Sequence, residues 1–162
     1  MTKLLKLLIV LSFATITTCS FAYDSSIARK YEKMFDNIKG EEVGKALHII
    51  SPEAFIEEYK SGKSFFAIDI RTPAETAIFT LSLPDSMKIP VDELFKQESL
   101  KKLPTDKQII LVCSSGMRSA AVLMALRDIG FNNVSVLKGG FKELSAYLEP
   151  KEANKAPKAK AM

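Results

Sequence analysis

Cys113 closes the apolar run Gln-Ile-Ile-Leu-Val at 108–112, and Ser114, Ser115, Gly116, Met117, Arg118 and Ser119 follow it directly. A thiol at the carboxyl end of a strand, with a helix beginning a few residues on, stands where open parallel sheets bind ligands. The short Ser-Ser-Gly-Met stretch can curl with its backbone N–H groups pointing inward. That makes an anion nest, reinforced by the positive end of the following helix. Gly116 suits a position where φ must be positive, and Arg118 adds a fixed charge and a planar fork of donors. Every one of these features favours the thiolate, so Cys113 is expected to be largely ionised near neutral pH. The same cradle would take a small oxyanion. A thiolate meeting a doubly charged anion is repelled by ~4 kcal/mol per charge pair at about 4 Å in an effective dielectric of about 20. Arg118 and the loop N–H groups are there to offset this. No general base is needed, because a thiolate is already the nucleophile. The chain's single histidine, His48, lies far off at the start of the first expected strand.

A cysteine after an apolar strand is often simply core. The hydrophilic, glycine-bearing residues after Cys113 argue instead for a thiol that is not buried. Arg118 at a helix start opposes the helix dipole and calls for an anion nearby. Asp69 and Arg71 read as a structural pair near a strand end rather than as catalysts, and His48 as a strand-edge residue with a satisfied ring. No zinc spacing is present, so no metal is expected.

The elements that must position this loop alternate between strand and helix. Strands are expected at 46–50, 64–70, 87–89, 108–112 and 134–137. Helices are expected at 52–59, after Thr72, at 91–95, at 118–129 and at 141–147. Ser51-Pro52 opens the first of these helices, since Pro is tolerated in a first turn. Thr72-Pro73-Ala74-Glu75 is a capping box. In helix 118–129, Ala121, Met124, Ala125 and Leu126 are expected to face inward, with Gly130 as the stop. Such alternation predicts an α/β fold, an open parallel sheet with helices on both faces.

Residues 1–22 read as an export signal, with Lys3 and Lys6, an apolar stretch and small residues before the cut after Ala22. The stretch is too short to span a bilayer comfortably; an uncleaved anchor and lipid attachment at Cys19 are the alternatives. Residues 23–45 form a helical extension, capped by Ser25 or Ser26 and ended by Gly40, that packs on the main domain at 46–149. The tail at 150–162 is a disordered Lys/Ala/Pro end. Cleavage would leave 21 basic residues of the 23, against 19 acidic, no footprint for a nucleic-acid groove. It would also leave Cys113 as the lone cysteine, with no internal disulfide. The expected location is periplasmic or secreted, with no stable membrane association after cleavage.

The chain resembles the rhodanese-like sulfurtransferases over about residues 46–149. The resemblance rests on Cys113, four residues, then Arg118-Ser119; on Asp69-Ile-Arg71-Thr-Pro-Ala-Glu75; and on Leu137-Lys-Gly139-Gly140-Phe141. Two places depart from the family pattern: Leu81-Ser-Leu-Pro-Asp-Ser86 stands where a Gly-His stretch is usual, and Leu144 where an aromatic is usual. The resemblance implies that Cys113 takes the outer sulfur of thiosulfate or a persulfide donor and passes it from a covalent persulfide to cyanide or a thiol. It makes Ser114, Ser115, Gly116, Met117, Arg118 and Ser119 the substrate-binding loop. Arg118 would position the donor's oxyanion end and Ser119 would hydrogen-bond the sulfur. The partners are small sulfur-containing anions and a thiol or protein acceptor. The alternatives are a cysteine-dependent phosphatase, whose loop carries five residues between Cys and Arg, and a non-catalytic persulfide carrier or docking module.

Overall fold

The computed structural model describes residues 22–36, 38–40 and 43–157. The segment at 1–22 read as an export signal therefore lies outside the described residues but for Ala22, as do the last five residues of the tail. The chain divides into two compact units, one ending at Asn37 and the other beginning at Ile38. The first holds helix α1 (Ser25–Phe35). Its cap is Asp24 rather than either serine: the Asp24 carboxylate accepts from the N–H groups of Ser26 at 2.8 Å and Ile27 at 3.3 Å. A carboxylate serves better than a hydroxyl there because its charge also meets the positive helix end. The helix stops at Phe35, short of Gly40.

The second unit runs α2 (Val43–Ala46), β1 (Ile49–Ile50), α3 (Pro52–Lys60), β2 (Phe65–Asp69), α4 (Pro73–Ile78), β3 (Ser86–Lys88), α5 (Val91–Leu94), α6 (Gln97–Leu100), β4 (Gln108–Val112), α7 (Met117–Asp128), β5 (Val134–Leu137), α8 (Gly140–Tyr147) and α9 (Pro150–Ala153). All strand pairs are parallel, in the order β1-β5-β4-β2-β3. Among the described residues no helix is long and apolar enough to cross a membrane.

The side-chain alternation of β4 distributes the core. Ile109, Leu111 and Cys113 point to one face, where Leu94, Val122, Leu123 and Leu126 cover them. Ile110 and Val112 point to the other, under Phe55, Ile56, Phe141 and Leu144. This period of two makes β4 apolar throughout, as a strand buried on both faces must be. Ser51 caps α3 through a bond from the Ala54 N–H, 3.2 Å. The Thr72–Glu75 capping box forms in both directions at the head of α4.

Three expectations need correction. The first strand is only Ile49–Ile50, because Val43–Ala46 is helical and His48 adopts φ 55, a left-handed turn that swings the chain into β1. His48 is thus a turn residue; burial, and then the charge of Arg127, hold its imidazole below the ordinary value. The buried face of α7 is Ser119, Val122, Leu123 and Leu126, while Ala121 is exposed. Ser119 starts that i, i+3, i+4, i+7 stripe, and apolar periodicity passes over a serine. The tail, finally, begins with a helical turn, α9. Lys60 Nζ donates to the carbonyls of Glu152 at 2.7 Å and Lys155 at 3.0 Å, which ties it to α3.

Candidate functional site

β2 passes the chain outward to β3, whereas β4 passes it the opposite way to β5. The crevice between their carboxyl ends is the switch point of the sheet, where ligands bind. Two segments meet there: residues 69–75 after β2 and residues 113–119 after β4.

Cys113 is the first residue beyond β4, and it is fully buried. The expectation of an unburied thiol is therefore wrong. The alternation of β4 carries its side chain inward with Ile109 and Leu111, beneath the loop. The serines that suggested exposure turn outward instead: Ser114 and Ser115 are exposed and, with the exposed apolar Met117, form the rim.

Burial pushes the Cys113 thiol up, but the loop outweighs it. The hydroxyl and N–H of Ser119 and the N–H groups of Ser115 and Gly116 together hold it below the ordinary value of 9.0. The Gly116 N–H donates to Sγ at 3.1 Å. Gly116 has φ +85 and caps α7, so its torsion calls for glycine, and an added Cβ would sit tightly, 3.2 Å from the Gly139 nitrogen. The Ser119 hydroxyl is buried and has no hydrogen-bond partner of regular geometry. An ionised sulfur gives it one.

A second glycine holds the loop from below. The N–H groups of Phe141 and Lys142, at the start of α8, donate to the carbonyls of Cys113 at 2.9 Å and Ser114 at 3.0 Å. A Cβ on Gly140 would stand 2.1 Å from the Cys113 oxygen. The close approach fixes the loop's backbone and leaves its N–H groups free to face the sulfur.

Arg118 lies over the rim, and its anionic companion is part of the chain. Nη1 donates to Glu75 Oε2 at 2.8 Å and Nη2 to Glu75 Oε1 at 2.6 Å, a two-pronged bridge. Nη2 also reaches Ser114 Oγ at 3.1 Å. Arg118, and then the Thr72 N–H, hold the Glu75 carboxyl down at about 2. The sequence places Glu75 in a capping box and in the Asp69–Glu75 segment of the resemblance but names no partner for it; an arginine against a helix dipole is the signal that one exists.

Asp69 and Arg71 lie deeper. Arg71 donates from Nε to Asp69 Oδ1 at 3.0 Å and from Nη2 to Oδ2 at 2.8 Å, and both side chains are buried. Thr80 Oγ1 donates to the same carboxylate at 2.9 Å, and Arg71 Nη2 donates to the Phe79 carbonyl at 2.6 Å. The guanidinium carbon stands 4.4 Å from the Phe79 ring centre and 3.9 Å from that of Phe141. This pair ties β2 to the start of α8. It does not reach the sulfur.

The arrangement provides an ionisable sulfur ringed by N–H donors, suited to holding charge on that sulfur or on one added to it. Among the described residues no cluster of three or more His, Cys, Asp or Glu could hold a metal ion.

A family model described as "Rhodanese-like domain" matches residues 51–147. The Mycobacterium tuberculosis protein named "Probable adenylyltransferase/sulfurtransferase MoeZ" is 32% identical over 101 residues, covering 62% of this chain and 25% of that protein. The chain thus spans about a quarter of that relative's length. A "Sulfurtransferase" of Allochromatium vinosum is 29% identical over 91 residues, 56% of this chain and 81% of the other. Among solved structures, a rhodanese-related protein of Thermoplasma volcanium superposes with a TM-score of 0.55 at 27% identity, covering 64% of this chain and 95% of that one.

Proposed function

The chain belongs to the rhodanese-like domain family, and on that premise we propose that it is an exported sulfurtransferase working through a persulfide on Cys113. Relatives named sulfurtransferases support the sulfur-transfer role. The observation that carries the reading is a buried sulfur at the end of β4 that accepts from the Gly116 N–H at 3.1 Å beneath its own loop.

The reaction has two halves. The Cys113 thiolate attacks the outer sulfur of a sulfane donor such as thiosulfate; a new S–S bond forms, the donor's S–S bond breaks, and the electron pair leaves on sulfite. An acceptor, cyanide or a thiolate, then attacks the outer persulfide sulfur and returns the electron pair to Cys113. The loop N–H groups and the Ser119 hydroxyl steady the negative sulfur in both halves, in the manner of a preorganised anion site. Because Cys113 is buried, the exposed side chains of Ser114, Ser115 and Met117 move aside for the donor while the loop backbone stays in place. The cycle asks for no metal and no organic cofactor. Its partners are small sulfur-bearing anions and a thiol acceptor, met in the periplasm or outside the cell.

Intact-mass measurement after mixing the mature protein with thiosulfate tests this. The expected result is the gain of one sulfur atom, absent in Cys113→Ser and reversed by cyanide. No gain from any sulfane donor, or an equal gain in Cys113→Ser, would overturn it.

A further inference from the structure

The rim carries less positive charge than the loop sequence promises. The Arg118 fork already holds a carboxylate, Glu75, on both prongs. The same Glu75 oxygen accepts from the Thr72 N–H at 2.9 Å and the Thr72 hydroxyl at 3.0 Å, so the capping box fixes the carboxylate in place. The bridge is partly exposed, with side-chain accessibilities of 37% and 33%, so both charges face solvent at the rim. Glu75 offsets much of the Arg118 charge, which also faces the Cys113 sulfur, so the rim offers a dianion less than a full cation.

Beside this bridge lies a pocket of about 410 Å³ lined by Ile70, Thr72, Val91, Asp92, Arg118 and Ala121, with Pro90 and Val122 completing it. Apart from Arg118, its only charged lining residue is Asp92, a second carboxylate. Its walls are otherwise mostly hydrocarbon. Such a pocket takes an apolar substituent and repels a compact, strongly hydrated anion.

We propose that Glu75 is a specificity-determining residue, and that with the adjoining pocket it selects organic sulfane-sulfur donors of one negative charge or none over the thiosulfate dianion. This rests on the Cys113 sulfur-transfer reading and names its donor class. For an organic persulfide, the Cys113 thiolate bonds to the terminal sulfur, the donor's S–S bond breaks, and the electron pair leaves on the organic thiolate. For an organic thiosulfonate it leaves on the sulfinate. In neither case does the exchange need an added oxidant or reductant.

The experiment compares benzenethiosulfonate, a monoanion bearing an apolar ring, with thiosulfate as donors to the mature protein, reading kcat/KM for each. The wild type is expected to favour benzenethiosulfonate by about tenfold or more, the scale on which an apolar pocket discriminates. Glu75→Gln keeps a side chain able to cap α4 but frees the Arg118 charge. It should shift the ratio toward thiosulfate by about fivefold, the weight of one partly exposed charge pair. Ala121→Phe, on the exposed face of α7, fills the pocket and should shift the ratio the same way by about tenfold. The ratio cancels any general loss of activity. Thiosulfate preferred by the wild type, or a ratio unmoved by both substitutions, would overturn the proposal while sulfur loading of Cys113 stood. Loading from neither donor would overturn the sulfur-transfer reading and this one with it.

Discussion

Gly140 touches Cys113 more closely than any other residue type could: a Cβ there would stand 2.1 Å from the Cys113 carbonyl oxygen and 2.9 Å from its carbon. The contact lets the Phe141 N–H bond that same carbonyl at 2.9 Å. The head of α8 therefore sets the backbone from which the reactive side chain hangs.

Gly140→Ala should accordingly cost about 2–4 kcal/mol of stability, combining a left-handed φ with a backbone clash. Urea unfolding measures it. Sulfur transfer should fall about tenfold or more in the folded fraction, because relief of the clash shifts Cys113 away from its donors. A variant as stable and active as the wild type would remove the claim that this approach shapes the loop.

Arg71→Met should destabilise the protein by about 3–5 kcal/mol, since it leaves the Asp69 carboxylate buried without its cation. Adding Asp69→Asn should recover a large part of that loss, because a neutral amide no longer needs the partner. Thermal or urea melts of the two singles and the double give the coupling directly. Additive losses would show that the two residues act separately.

Cys113 should leave its mark on stability against pH. Its folded-state value lies below the ordinary 9.0. A depressed group adds stability that is fully present above its unfolded value and is lost as pH falls through its folded value. The stability difference between wild type and Cys113→Ser should therefore climb with pH across that interval and level off above about 9.0. The ultraviolet absorbance of the thiolate should rise with a midpoint inside the same interval. In Ser119→Ala the midpoint should move up, since one of the groups opposing desolvation is gone. A thiolate transition at or above 9.0 in the wild type would contradict the geometry.

Much of the fold was legible because its strands are buried on both faces and their helices are punctuated by strong local signals. Gln108–Val112 and Val134–Leu137 are strands at the bounds their apolar runs suggest, and the Thr72–Glu75 box heads α4. Boundaries slipped where local chemistry was ambiguous. His48 in a left-handed turn cut the first strand to two residues, and a serine at the head of the buried stripe of α7 hid its inward face. Helix α6 went unread, since four residues give no period to detect.

The sequence by itself determined the chemical elements of the site: one thiol, a glycine-bearing turn after a buried strand, and an arginine at a helix start. These are local matters, settled by residue type and by spacing of a few positions. Only the tertiary structure decided that Cys113 lies inside, because that depends on how the loop after β4 folds over the side chain on the α7 face of the sheet. It alone decided that Arg118 is answered by Glu75, 43 residues earlier in the chain. Charge balance across a crevice belongs to two helix starts brought together by a parallel sheet, and no window of neighbouring residues contains both.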